Sequence, residues 1–272
     1  MKKFVALFAL SASIVYAVDT TTTSTKKIDV SQQSFSERVG GYYYTVLSKD
    51  VLSGENTNVP GSSWLNYLNA SYKLTNETKV AVTMRFEIID SNHENGRGDR
   101  FSELDPRLGI STKLFSKGIF SVNAYMVVEL PTSRESQDDE RIMRLKPAID
   151  MATKIDDYNS LMTYIGYNKT IYSEANNGVD ETSRHYLEPW IVYTNKYLSE
   201  KFVFKAEYSS TLDHVAGTAD STLRKEDSGE ELALGVEFDA LGFALNPYIA
   251  HNPSALKAVN TLGAGIQAFK AF

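Results

Sequence analysis

The chain has 272 residues, no cysteine and a formal net charge of -6. Absence of cysteine excludes a disulfide-stapled secreted module, and moderate acidity argues against nucleic acid as a partner. After residue 17 no uninterrupted apolar run approaches the roughly 18 residues of a helical membrane span, so a membrane location would require a closed barrel, because lipid offers no partner to open backbone groups.

Residues 1–17, MKKFVALFALSASIVYA, place two lysines before an apolar run and end on small residues. This is the layout of a secretory signal peptide, with cleavage expected after Ala17, which would change the formal charge from -6 to -8. Residues 18–35 are rich in Thr and Ser without periodicity and read as a flexible periplasmic leader; a pore plug or partner-binding arm is the other reading. The first strand, Glu37 to Ser48, carries Tyr42, Tyr43 and Tyr44 in a row, and parity does not give its facing.

The next stretch shows the pattern plainly. Thr78, Val80, Val82, Met84, Phe86 and Ile88 alternate with residues that include Lys79, Thr83, Arg85 and Glu87, a strict period of two. Across the turn Thr75-Asn76-Glu77, Leu68, Ala70, Tyr72 and Leu74 alternate with Asn69, Ser71 and Lys73, which makes a hairpin. Residues at roughly 3.3 Å each, tilted by about 45°, give Thr78–Ile88 a height of about 25 Å, that of the apolar band of an outer-membrane barrel. A soluble sheet with one wet face would show the same alternation in a shorter strand.

The grammar then repeats as strand, short turn, strand, long polar loop. The fourth strand (Arg107 to Phe115) sets Leu108, Ile110, Thr112 and Leu114 against Arg107, Ser111 and Lys113. The fifth (Phe120 to Leu130) opposes Phe120, Val122, Ala124, Met126 and Val128 to Ser121, Asn123, Tyr125 and Glu129. The sixth (Ile142 to Ala152) opposes Met143, Leu145, Pro147, Ile149 and Met151 to Arg144, Lys146 and Asp150, with Pro147 a misfit in a closed ladder. The seventh (Ser160 to Tyr172) is poorly patterned, and the eighth (Tyr186 to Thr194) again holds a proline, Pro189. The ninth (Lys201 to Leu212) alternates Phe202, Phe204, Ala206 and Tyr208 with Lys205, Glu207 and Ser209. Glu231 to Phe238, Phe243 to Ala250 and Thr261 to Phe272 complete twelve strands.

Short links fall near residues 75, 116, 156, 198 and 240, with long polar segments such as DSNHENGRGDRFSELD, PTSRESQDDER and SEANNGVDETSR between them. All short turns therefore lie at one end and all long loops at the other, the asymmetry of an outer-membrane barrel. Tyr72, Phe115, Phe120, Tyr197, Phe202, Phe238 and Phe243 cluster beside the short turns, as an interfacial girdle should. The predicted fold is all-β: an up-and-down antiparallel transmembrane barrel over residues 36–272.

The last strand, Leu262-Gly263-Ala264-Gly265-Ile266-Gln267-Ala268-Phe269-Lys270-Ala271-Phe272, alternates and ends on an aromatic. It resembles the terminal strand of Gram-negative outer-membrane β-barrel proteins. The resemblance implies that Phe272 is the signal read by the barrel-assembly machinery and that the chain resides in the bacterial outer membrane, among lipid and lipopolysaccharide. Lys270 stands where such strands usually carry an apolar residue, and snorkelling to the interface accommodates it.

A twelve-stranded barrel lies between the filled eight-stranded type and the sixteen-stranded porin with its open channel. The inward set contains Arg85, Glu87, Arg107, Lys113, Glu129, Arg144 and Lys146 on strands three to six, a mainly basic wall. Around the barrel it contains Glu188, Glu207, Glu231 and Glu237 with only Lys205 opposing, a mainly acidic wall. Charged walls are tolerable only where water or a partner reaches them, so the function expected is passive diffusion of small hydrophilic solutes or ions through a charged lumen resembling that of porin-like channels. The alternative is a closed barrel whose charges pair across the interior and which acts structurally or adhesively through its external loops.

Enzyme readings fare less well. Outer-membrane phospholipases also have twelve strands and use a His-x-Ser pattern, but none of His93, His185, His214 and His251 lies two residues before a serine; His251 with Ser254 is the nearest approach. His93 with Asp90 and Glu94 could suggest a metal or an omptin-like protease site, although scattered loop charges are more often solvated. No motif asks for a cofactor, and neither a catalytic residue nor a metal ligand is expected.

Overall fold

A computed structural model describes residues 30, 33–50, 62–89, 101–173, 183–197, 201–214, 223–225, 230–251, 253 and 263–272. The predicted signal peptide and most of the leader lie outside these residues, as do His93 and Ser254. Strands β1 (Val39–Asp50), β2 (Ser62–Lys73), β3 (Thr78–Ile89), β4 (Phe101–Lys117), β5 (Phe120–Glu129), β6 (Arg141–Lys154), β7 (Asn159–Tyr172), β8 (Ser183–Asn195) and β9 (Phe202–Ser209) pair antiparallel in chain order. A short hairpin, β10 (Leu212–His214) and β11 (Leu223–Lys225), extends from β8. β9 then pairs with β12 (Glu231–Ala240), followed by β13 (Phe243–His251) and β14 (Gly263–Ala271). Because β14 pairs back onto β1, the sheet closes: twelve of the fourteen strands form the ring. The seam is tied at its end by Phe272, whose backbone N–H donates to Gly41 O at 3.1 Å while Gly41 N–H donates to Phe272 O at 3.0 Å.

Alternation decides which residues meet the outside. Leu47, Leu68, Val82, Met84, Leu108, Ile110, Met126, Ile149, Ile165, Ile191, Leu234 and Ile249 are all exposed, and their neighbours in sequence point to the interior. A ring of exposed large apolar side chains is unstable in water and is the expected surface of a barrel in hydrocarbon. One outward polar residue is shielded: Asn66 accepts from the Tyr43 hydroxyl at 2.6 Å and from the Thr45 hydroxyl at 2.9 Å, beside Trp64. At the short-turn end Phe202 stacks near Phe238 at 5.8 Å, Tyr158 near Tyr197 at 5.5 Å, and the Lys270 ammonium lies 5.2 Å from the Phe243 ring, where its charge can reach water.

The turns at this end are tight. Gly118, at φ 61°, opens the two-residue link from β4 to β5, and Leu241 and Gly242, at φ 56° and 77°, form the link from β12 to β13. Positive φ at both central positions is the geometry that matches hairpin twist, and glycine takes it without steric cost. The β6–β7 turn is held by Asp156, which accepts from the backbone of Tyr158 at 2.8 Å and of Asn159 at 2.7 Å.

Four differences from the sequence expectation have physical causes. Glu37 and Arg38 belong to a helical turn, α1 (Phe35–Arg38), whose capping box joins Ser34 and Glu37, so β1 starts at Val39. β4 begins at Phe101, not Arg107, because Asp105-Pro106 forms a bulge within the strand and leaves its pairing with β3 shifted between Thr83 and Arg85. The polar segment after β5 contains a second helical turn, α2 (Arg134–Asp138), capped by Ser133. The ninth strand stops at Ser209 and its ladder resumes at Leu212, because Pro189 on β8 has no N–H to offer at that rung; Ser210 N–H instead donates to Pro189 O at 3.1 Å. Pro147 and Pro247 interrupt the β6–β7 and β12–β13 ladders in the same way, each with its other flank still paired.

Candidate functional site in the barrel interior

The interior is filled in part by two apolar groups. Tyr44, Val46, Leu65, Tyr67, Tyr248 and Phe269, from β1, β2, β13 and β14, make one; Ala148, Met162, Tyr164, Trp190 and Val192, from β6 to β8, make the other. The rings fit because the facing strand carries glycine: a Cβ on Gly265 would lie 2.5 Å from the Tyr248 hydroxyl. Facing was not legible for β1 and β7, and the structure turns Tyr42, Tyr44, Met162 and Tyr164 inward.

Between these groups lies a concentration of charge. Glu129, at the end of β5 and 1% exposed, accepts from Arg107 Nε at 2.7 Å and Arg144 Nη1 at 3.2 Å, and its carboxylate also stands 3.2 Å from both Arg85 Nη1 and Lys146 Nζ. Arg107 on β4, Glu129 on β5 and Arg144 on β6 are direct cross-strand partners, while Arg85 on β3, beyond the bulge of β4, and Lys146, two residues along β6, reach in from neighbouring positions on the same face. Glu129 is the one carboxylate in ion-pair contact with the four cations among the described residues, and with Glu188 nearby the cluster keeps an excess of positive charge. Arg85 and Arg107 also lie over the Tyr67 ring at 5.6 and 5.9 Å, and Arg144 donates to Thr170 Oγ1 at 2.9 Å.

Arg85 connects this cluster to the long-loop end, because its Nη1 donates to Asp105 O at 3.2 Å. The Asp105 carboxylate in turn accepts from the backbone of Thr132 at 3.0 Å and of Ser133 at 2.9 Å, from the Ser136 hydroxyl, and from Arg141 at 3.0 Å. A single buried carboxylate thus pins the segment carrying α2 onto the bulge of β4.

On the other side of the barrel Lys205 pairs with Glu237 at 2.5 Å, and Glu207 is buried next to them with Oε2 unpartnered among the described residues. Glu231 is half-buried above it, and Tyr208, on the outward face, donates to Glu230 at 2.7 Å. Glu188 is buried on β8, within electrostatic reach of Arg107 and Lys146. Of the residues singled out from the sequence, Arg85, Arg107, Glu129, Arg144 and Lys146 come together, and Lys205 joins Glu237. Glu87 is half-buried beyond Arg85 and Lys113 is exposed at the short-turn end. Sequence reasoning passed over Tyr67 and Asp105. Tyr67 sits one residue before the stretch whose alternation was read, where the parity of Asn69 and Ser71 already points inward; Asp105 lies in a segment whose Asp-Pro reads as a turn. Among the histidines, His185 on β8 packs 5.8 Å from the Tyr167 ring, and His251 ends β13.

A cavity of about 500 Å³ lies between the charge cluster and the short turns. Tyr67, Arg107, Lys146 and Tyr164 line it toward the cluster, and Lys73, Lys79 and Lys113 line it toward the turns. Asn69 donates to Thr83 Oγ1 at 2.8 Å along one wall, and Asn123 donates to Asp150 at 2.8 Å near another.

A closed, antiparallel, twelve-stranded ring with an apolar exterior and an ionic interior is the fold of outer-membrane porin-like channels. No protein-family model and no curated protein matches the chain. Among solved structures it is similar to the NanC porin, with a TM-score of 0.54, 8% identity, and 85% of this chain and 98% of that chain covered. It is also similar to an outer membrane channel from Pseudomonas putida F1, with a TM-score of 0.53, 10% identity, and coverage of 86% and 94%. At these identities the likeness is one of fold.

Proposed function

We propose that the protein is an outer-membrane channel that passes small hydrophilic solutes or ions by diffusion through its charged interior. The observation that carries this reading is the inward convergence of Arg85, Arg107, Glu129, Arg144 and Lys146 inside a ring whose exterior is apolar: charges at membrane depth are retained where they serve a wet path or a partner. Structural neighbours that are channels support the same class. On this reading residues 1–17 are removed after Ala17 on export, Phe272 is the feature read by the assembly machinery, lipid and lipopolysaccharide surround the wall, and no catalysis is involved. Arg85, Glu87, Arg107, Lys113, Glu129, Arg144, Lys146, Glu188, Lys205, Glu207, Glu231 and Glu237 are the proposed pore-lining set.

A second reading is favoured by one observation: Tyr44 and Val46 are fully buried and Glu129 nearly so, as in a sealed core. In that case the barrel is a closed structural or adhesive element acting through its external loops. Planar-bilayer recording separates the two. Discrete conductance steps from purified, folded protein are expected, and a silent bilayer would refute the channel. With conductance in hand, Arg85→Glu and Arg144→Glu should move the reversal potential toward cations.

A further inference from the structure

We infer that the cavity beside the charge cluster is a binding site for a small oxyanion, a solute bearing a carboxylate or phosphate group. The inference rests on the channel reading for its biological use, but the site itself stands on three observations.

The first is charge. Lys73, Lys79, Lys113, Arg107 and Lys146 line the cavity, and Glu77 in the short turn is the only carboxylate among its lining residues. The second is the state of the cluster behind it. Glu129 is the carboxylate within ion-pair distance of Arg85, Arg107, Arg144 and Lys146 together, and Glu188 lies within electrostatic reach of Arg107 and Lys146, so two negative charges face four positive ones and part of the positive charge stays uncompensated. Buried cations without a counter-charge are costly, and an incoming oxyanion relieves that cost where Arg107 and Lys146 meet the cavity. The third is an unused donor. The Tyr67 hydroxyl lies on a residue 1% exposed, lines the cavity beside Arg85, which can only donate to it, and its own O–H meets no acceptor among the described residues. Buried hydroxyls are nearly always bonded, so an orphan facing a cationic cavity marks the position of an acceptor atom.

Glu129 then has a definite part. It occupies the position that a solute's own carboxylate would seek, and so acts as an internal competitor. It keeps the arginines from holding an anion too tightly to release, as conduction requires binding weak enough to leave. The cavity volume lies within the range of small-molecule sites and would admit a short polar acid.

The test measures binding apart from conductance. Folded protein in detergent micelles is titrated with inorganic phosphate and with citrate at constant ionic strength, followed by calorimetry and by the unfolding midpoint. Saturable binding is expected, weakened about tenfold by Tyr67→Phe, the loss of one hydrogen bond to a charged group, and by Lys79→Gln at the cavity mouth. Absence of saturable binding to either anion, or binding by both folded variants equal to that of the parent, would overturn the site. Binding by a protein that gives no conductance would leave the site standing and remove the channel; conductance steps without saturable anion binding would do the reverse.

Discussion

Replacing Glu129 with glutamine keeps the shape of the side chain and removes the charge around which Arg85, Arg107, Arg144 and Lys146 are gathered. Each cation at ion-pair distance gains roughly 4 kcal/mol from the carboxylate at an effective dielectric constant of about 20, and mutual repulsion among the four cations offsets much of that sum. The net cost of breaking a buried pair from one side is about 3–5 kcal/mol, and here the residue removed is shared by all four cations. Glu129→Gln is therefore expected to lower the free energy of unfolding in detergent micelles by about 3–5 kcal/mol, seen as a lower urea midpoint at unchanged slope. Asp157→Asn is the control. Asp157 pairs with Lys154 at 2.8 Å in an exposed turn, and such surface pairs contribute about 1 kcal/mol or less. Equal, small shifts for the two variants would refute the claim that Glu129 is the electrostatic centre of the buried cation cluster.

Other expectations follow from single residues. Asp105→Asn removes the charge that holds Arg141 and weakens the acceptor for two backbone amides, so hydrogen exchange at Thr132 and Ser133 should speed up by about tenfold or more while strand amides keep their protection. Gly265→Ala sets a methyl group 2.5 Å from the Tyr248 hydroxyl and 2.7 Å from the Leu47 carbonyl, which cannot swing away; a loss of about 1–3 kcal/mol in the same unfolding assay is expected. Leu241 is 95% exposed and holds positive φ, so Leu241→Asn, which gives the turn an Asn-Gly pair, should raise stability by about 1 kcal/mol.

What could be read in advance follows from how local each determinant is. The alternation of β3, β5 and β9 is a property of neighbouring residues, and the structure has these strands with the facing that alternation implies. The sorting of short turns from long loops is likewise local, and it carried the closed ring. β1 and β7 resisted because their inward faces are aromatic or apolar, Tyr42 and Tyr44 on one and Met162 and Tyr164 on the other, so polarity did not distinguish the two sides. Asp105 was beyond reach for a different reason: its partners lie 27 to 36 residues away, and Asp-Pro has the local look of a turn. Parity turned Glu129 inward, yet its convergence with four cations depends on the mutual register of four strands, which a single sequence does not state.

Pro106, Pro147, Pro189 and Pro247 stand at four separated places around the ring, each beside an interrupted ladder; the last three keep a paired rung on the other flank, and Pro106 O accepts from Leu130 N–H at 3.0 Å. A closed cylinder has no free edge at which a misaligned strand can be absorbed, so an error in one ladder must be carried round the whole circumference. Sliding any of these strands by two residues would set a proline against an intact donor row and an intact N–H against a gap, leaving additional orphaned groups in hydrocarbon at several kcal/mol each. The prolines therefore work as notches on a key: they weaken the finished wall slightly and make nearly every other alignment of the twelve staves far worse.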